Sequence, residues 1–190
     1  MAKRISRATP SDVPESTAKD PNPAAAGLAT LEDEDVLVER TVTINRPRQE
    51  LYEFWRDFRN LALFMENIEN VTMIDALRSH WVVKAPAGSS VEWDSLIIED
   101  IPGELIEWRS AENASVTNTG RIEFRDATNG RGTLVTATIA YDPPAGKLGK
   151  LFAKLFQREP NIQARRDLRR FKQLMETGEI ATSQHPEDAR

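Results

Sequence analysis

Between residues 36 and 141 apolar and polar positions alternate in short runs, and beyond residue 147 the apolar spacing becomes that of a helix. In the opening run Val36, Val38, Val42 and Ile44 share one face, with Glu39, Thr41 and Thr43 on the other, the two-residue period of a strand. Asn45 and Arg46 before Pro47 predict a helix start, with a polar cap ahead of a proline in the first turn. The segment 47–58 would bury Leu51, Phe54, Trp55 and Phe58, and a second short helix is expected around 60–64. Strand patterns follow at 70–77, 80–85, 91–100, 104–110, 120–126 and 133–141. Turn signals separate them at Arg78-Ser79, Pro86 to Ser89, Pro102-Gly103 and Asn129-Gly130, the last a hairpin signal.

The C-terminal region then reads as helix. Leu148, Leu151, Phe152, Leu155 and Phe156 fall at i, i+3, i+4, i+7 and i+8, and Ile162, Leu168, Phe171, Leu174 and Met175 carry a stripe on to Gly178. Pro160 either breaks this helix or starts a second one in its first turn. A long amphipathic helix after a run of strands must bury its stripe on the sheet those strands form. The expected fold is therefore α+β: a bent antiparallel sheet of six to seven strands gripping a long C-terminal helix, with two short helices after the first strand. Such a shape can hold a cavity between sheet and helix.

Composition sets the limits of this domain. Residues 1–34 are rich in Pro, Ala, Ser and Asp and lack aromatics, so they read as a disordered tail, as do 180–190; one domain is expected over 35–179. With no cysteine, disulfides, thiolate metal sites and cysteine nucleophiles are excluded. No apolar run approaches the roughly 18 residues of a membrane span, and the N-terminus lacks the apolar core of a secretory signal, so a cytoplasmic location is expected. The formal charge of −5 gives no sign of a nucleic-acid partner, but it is unevenly spread. Residues 147–172 carry nine Lys/Arg against two acids, which leaves the rest of the chain at −12. In 147–158, Lys147, Lys150, Lys154 and Arg158 form a cationic stripe beside the apolar one, which suggests weak contact with an anionic membrane surface. A solvated outer helix face has the same pattern.

Several stretches resemble a known family. ERTVTINRPRQELYEFWRDFRNLALFMENIENVTMID (39–75) is similar to the opening strand, helix pair and second strand of the START-like, or SRPBCC, superfamily. Within it, the nearest likeness is to the bacterial polyketide cyclase/dehydrase-like and coenzyme-Q-binding-like group. WDSLIIEDIPGELIEWRS (93–110) resembles that group's central hairpin, TGRIEFRDATNGRGTLVTATIAYDPPAG (119–146) its final hairpin, and DLRRFKQLMETGE (167–179) its helix end. The resemblance covers about residues 36–180. It implies the helix-grip fold with an apolar cavity under the C-terminal helix, and for that cavity it points to Trp55, Phe64, Trp81, Trp93, Trp108 and Phe124, facing Phe152, Phe156, Leu168 and Phe171.

Polar residues offer little chemistry. His80 is the one histidine outside the C-terminal tail, which rules out a two-histidine metal site; no metal or cofactor is expected. Glu92 and Asp94 flank Trp93, and alternation turns them to solvent, as it does Arg109 and Arg121. No nucleophile–histidine–carboxylate pattern and no glycine-rich phosphate loop are present, so no catalytic set is assigned. The favoured reading is a non-enzymatic binding module for a small apolar ligand: a lipid, an isoprenoid quinone or a polyketide-like molecule. The alternatives are a cyclase or dehydratase acting on a polyketide-like substrate, and a membrane- or partner-docking module that uses the basic helix. A buried carboxylate or arginine in the cavity would favour the cyclase over the carrier.

Overall fold

The alternating segments form seven strands in the computed structural model, which describes residues 36–85, 88–112, 114–142 and 160–180. They are β1 (Val36–Ile44), β2 (Ile68–Met73), β3 (Arg78–Ala85), β4 (Ser89–Ile101), β5 (Leu105–Ser110), β6 (Thr117–Asp126) and β7 (Thr133–Asp142). All pair antiparallel in one sheet of order β1-β7-β6-β5-β4-β3-β2. β2 to β7 are a meander of hairpins, while β1 closes on β7 at the far edge. The chain must therefore cross the whole sheet between β1 and β2. Helix α1 (Arg48–Arg56) and a 3-10 turn (Phe58–Leu63) make that crossing, and α2 (Pro160–Thr177) packs along β1. This is the expected helix-grip arrangement.

Local chemistry sets the boundaries. The β2–β3 turn falls at 74–77 rather than at Arg78-Ser79, because Asp75 Oδ1 accepts from the N–H groups of Leu77 (2.8 Å) and Arg78 (2.7 Å). Ile74 and Leu77, assigned to a strand by their pattern, are consequently exposed. Helix α1 begins at Arg48, with Pro47 itself in the N-cap position and no side chain capping it; the Asn45 backbone N–H donates to Glu176 (2.7 Å). Helix α2 is described from Pro160 and stops at Gly178, whose φ of 78° places it in the left-handed region; the choice between the two alternatives for Pro160 turns on the segment before it, which lies outside the described residues. The apolar and basic stripes of 147–158, with Phe152 and Phe156, lie outside the described residues.

Arg46 fixes the end of α2. Its guanidinium donates to the Met175 carbonyl (2.7 Å) and the Glu176 carbonyl (3.1 Å), two of the acceptors a helix C-terminus leaves open. Lys172 Nζ donates to the Thr43 carbonyl at the end of β1 (2.6 Å). The core between α1, α2 and the sheet is aromatic. Trp55 meets Phe171 edge-on at 4.9 Å, and Phe64 lies 4.9 Å from Phe171 and 5.3 Å from Trp55.

Candidate functional site

Three tryptophans stand side by side on the sheet face that α2 covers. Trp81 and Trp93 are direct partners across β3 and β4, their rings stacked at 6.1 Å and 13°. Trp81 also stacks on Trp108 of β5, at 6.3 Å and 17°. Each hydrogen-bonded indole finds its partner two residues along its own strand: Trp81 Nε1 donates to Ser79 (2.9 Å) and Trp93 Nε1 to Ser95 (3.2 Å). Ser79 and Ser95 are themselves opposite one another. Two inward serines thus satisfy the ring N–H groups, which burial would otherwise leave unpaired at a cost of about 1–3 kcal/mol each. Phe58, from the 3-10 turn, sets its edge on Trp81 (5.5 Å) and Trp108 (5.4 Å).

Beside this wall lies a cavity of about 120 Å³. Trp81, Trp93, Trp108, Val38, Val83 and Ile139 form its sheet side, Met65, Asn67 and Ile68 one end, and Gln163, Ala164 and Asp167 of α2 its roof, with Asn118 from β6. Most of the lining is apolar, with a polar group gathered on α2 and the 65–67 loop. The loop and helix are tied together at that group. Gln163 Nε2 donates to Asp167 Oδ1 (2.9 Å), the Glu66 backbone N–H donates to the Asp167 carboxylate, and the Glu66 carboxylate pairs with Arg170. Burial pushes the Asp167 carboxyl up to about 7, with the Glu66 charge adding to the rise; the bonds from Gln163 and Glu66 and the Arg170 charge oppose it without offsetting burial.

The aromatic residues singled out in the sequence divide into two groups. Trp81, Trp93 and Trp108 line the cavity. Trp55, Phe64, Phe124, Leu168 and Phe171 are buried in the packed core behind it, with Trp55, Phe64 and Phe171 in mutual ring contact. Asp167, Gln163, Asn67 and Asn118 were not recognised from the sequence. A signal for Asp167 did exist: it shares its helix face with Ala164 and Phe171, three residues before and four after, and sits next to Leu168.

The opposite sheet face holds the charged strand residues singled out in the sequence. His80 Nδ1 lies 2.8 Å from Asp94 Oδ1, and Nε2 lies 3.4 Å from Glu92, all at the surface as alternation implied. Arg121 departs from expectation. It does point away from α2, but it is buried, with Nη1 2.6 Å from Glu107 and 3.5 Å from Glu99, and Nη2 3.7 Å from Glu123. The reason is register: Glu107 and Arg121 are direct cross-strand partners. Among the described residues no cluster of three or more histidine or acidic side chains is arranged to hold a metal, and no helix is long and apolar enough to cross a membrane.

Comparison with known proteins identifies the family and the fold. Residues 44–169 match the family described as polyketide cyclase/dehydrase and lipid transport. Among solved structures, DR_A0006 from Deinococcus radiodurans is similar over 76% of this chain and 100% of its own, at 38% identity and a TM-score of 0.62. The ZhuI aromatase/cyclase from Streptomyces sp. R1128 shares the fold over 77% of this chain and 99% of its own, at 17% identity and a TM-score of 0.58. TTHA0849 from Thermus thermophilus does so over 73% and 94%, at 23% identity and a TM-score of 0.56. No curated protein matches the chain.

Proposed function

The chain belongs to the polyketide cyclase/dehydrase and lipid transport family, and from that premise we propose that it binds a small, mostly apolar ligand with one hydrogen-bonding end, in the cavity between the tryptophan wall and α2. The observation that carries this is the pairing of an apolar wall, Trp81, Trp93 and Trp108, with a polar roof, Gln163 and Asp167. Flat indole faces favour a flat or chain-like apolar body, and removing that body from water contributes about 25 cal/mol per Å² of apolar surface. The volume limits what enters. A cavity of about 120 Å³ accepts a group near the size of one aromatic ring. A longer lipid, quinone or polyketide-like ligand therefore seats one end there. The apolar probe N-phenyl-1-naphthylamine should quench tryptophan emission by energy transfer, and Ile139→Trp, which fills the cavity, should abolish this. Unchanged emission at saturating probe would remove the basis of the reading.

A second reading is favoured by Asp167. A carboxyl held near neutrality inside an apolar cavity is suited to passing a proton in either direction. On a poly-ketone chain, the Asp167 carboxylate would take a proton from a carbon beside one carbonyl. The resulting enolate carbon would bond to a second carbonyl carbon, and the alkoxide so formed would recover the proton from Asp167. Such a cyclase role predicts that Asp167→Asn retains binding and loses turnover. A carrier predicts no turnover in either form.

A further inference from the structure

We infer that the outward face of α2 docks on an anionic phospholipid surface, bringing the polar end of the tryptophan cavity to the bilayer. The purpose of this contact rests on the ligand-binding reading above, but the contact itself stands on other residues. Ile162, Arg165, Arg166 and Arg169 recur at i, i+3, i+4 and i+7, so they form one stripe on α2, and all four are exposed. The helix's other cations are engaged: Arg170 pairs with Glu66, and Lys172 binds Thr43 and Glu176. The three stripe arginines have no ion-pair or hydrogen-bond partner among the described residues. Residues 160–172 carry five cations and one acid, on a chain whose net charge is −5. An acidic body is repelled by an anionic surface, so this stripe would fix the face by which it approaches.

One further observation favours lipid over an acidic protein. The planar forks of the three stripe arginines suit phosphate and carboxylate oxygens alike, so the choice rests on the apolar side chains beside them. Each of the two segments meeting at the polar end of the cavity also exposes a large aliphatic side chain: Ile162 (42% exposed) on α2, and Leu63 (59% exposed) just before Met65 and Asn67. Cations level with phosphates and aliphatics reaching the acyl boundary are what an interfacial helix presents. Gln163, Ala164 and Asp167 occupy the other side of the same helix and roof the cavity. A helix lying at headgroup depth would then hold the cavity beside the layer from which an apolar ligand must come.

The test is cosedimentation of the full chain with phosphatidylglycerol–phosphatidylcholine vesicles and with phosphatidylcholine alone, at low and at high salt. The expected result is binding to the anionic vesicles only, weakened by salt. Each arginine near such a surface is worth about fivefold in partitioning, so Arg165→Glu, Arg166→Glu and Arg169→Glu together should lower binding by at least about a hundredfold. Arg165→Gln with Arg169→Gln adds no new charge and should lower it by about twenty-five-fold. Equal binding to both vesicle types, or variants that sediment like the parent, would overturn the inference. Binding to a soluble polyglutamate but not to vesicles would overturn it too and assign the stripe to an acidic protein. Uptake of N-phenyl-1-naphthylamine is measured on the same samples. Normal uptake without vesicle binding defeats the docking surface and leaves the cavity reading intact; vesicle binding without uptake does the reverse.

Discussion

Gly120 leaves the space that the Trp108 ring fills. The two are direct partners across β5 and β6, and a Cβ placed on Gly120 would stand 2.1 Å from Trp108 Cζ2 and 2.3 Å from Cε2. The indole therefore lies against bare backbone, and that is how Trp108 stays flat in the wall beside Trp81.

Gly120→Ala should lift Trp108 off the sheet. Residue 120 has no positive φ, so the effect is one of packing and not of backbone strain. Overpacking a tight core contact usually destabilises by about 1–3 kcal/mol. The displaced ring would move toward the cavity and reduce probe binding more than stability. A denaturant midpoint and a probe titration on the same variant check both parts. A variant that binds probe like the parent would show that Trp108 does not form the wall in solution.

Asp167 makes stability depend on pH. Its carboxyl holds a proton up to about 7 when folded, against 3.8 for the ordinary group. Between those values the folded chain binds a proton that the unfolded chain has released, so the contribution to stability is largest below about pH 4 and declines as pH rises to 7. Glu66 and Arg170 face the same carboxyl and act in opposite directions on it. Asp167→Asn should flatten this decline and stabilise the chain at pH 8 by roughly 1–3 kcal/mol. Urea midpoints of both forms from pH 4 to pH 8 test this, and parallel curves would count against a partly buried, protonated Asp167.

Glu107 and Arg121 should behave as a coupled pair. Their side chains are 4% and 9% exposed and 2.6 Å apart. Arg121→Met leaves a buried carboxylate without its cation and should destabilise by about 3–5 kcal/mol. Adding Glu107→Leu removes that charge as well, and the double variant should recover most of the loss. Simple additivity of the two substitutions in thermal melts would mean that solvent already screens the pair.

These residues also mark how far the sequence could be read. Strand alternation placed Trp81, Trp93 and Trp108 on one side and His80, Glu92 and Asp94 on the other, because the pleat allows no other arrangement. Glycine chemistry marked the end of α2 at Gly178. Alternation also turned Arg121 away from the helix, but its burial depends on which residue faces it across the next strand, and no local pattern contains that register. The same limit applies among the aromatics. Trp55 and Trp108 look alike in sequence, and only the crossing of α1 over the sheet puts one in the core and the other beside a cavity. Asp167 was hidden by its neighbours: Arg165, Arg166, Arg169 and Arg170 made the segment read as a solvated charged face, while the spacing to Ala164 and Phe171 pointed inward.

The clamp at the end of α2 links stability to ligand exchange. Arg46 donates to the carbonyls of Met175 and Glu176, and Lys172 to that of Thr43, so the last turn of α2 is fastened to the end of β1. Phe171 lies one turn before this clamp, and Asp167 and Gln163 over the cavity lie one and two turns before that. Hydrogen bonds from a charged donor contribute about 1.5–3 kcal/mol each, reduced here because Arg46 is part exposed. Arg46→Met keeps most of the aliphatic stem and should destabilise by roughly 1–2 kcal/mol. Fraying should start at Thr177 and run back toward Phe171, because the final carbonyls lose their donor. Amide exchange in the last two turns of α2 should therefore quicken more than in β3 or β4, and probe should leave the cavity faster with little change in its uptake rate. Uniformly faster exchange across the sheet would instead mean that Arg46 supports the whole fold and that the end of α2 does not control the cavity.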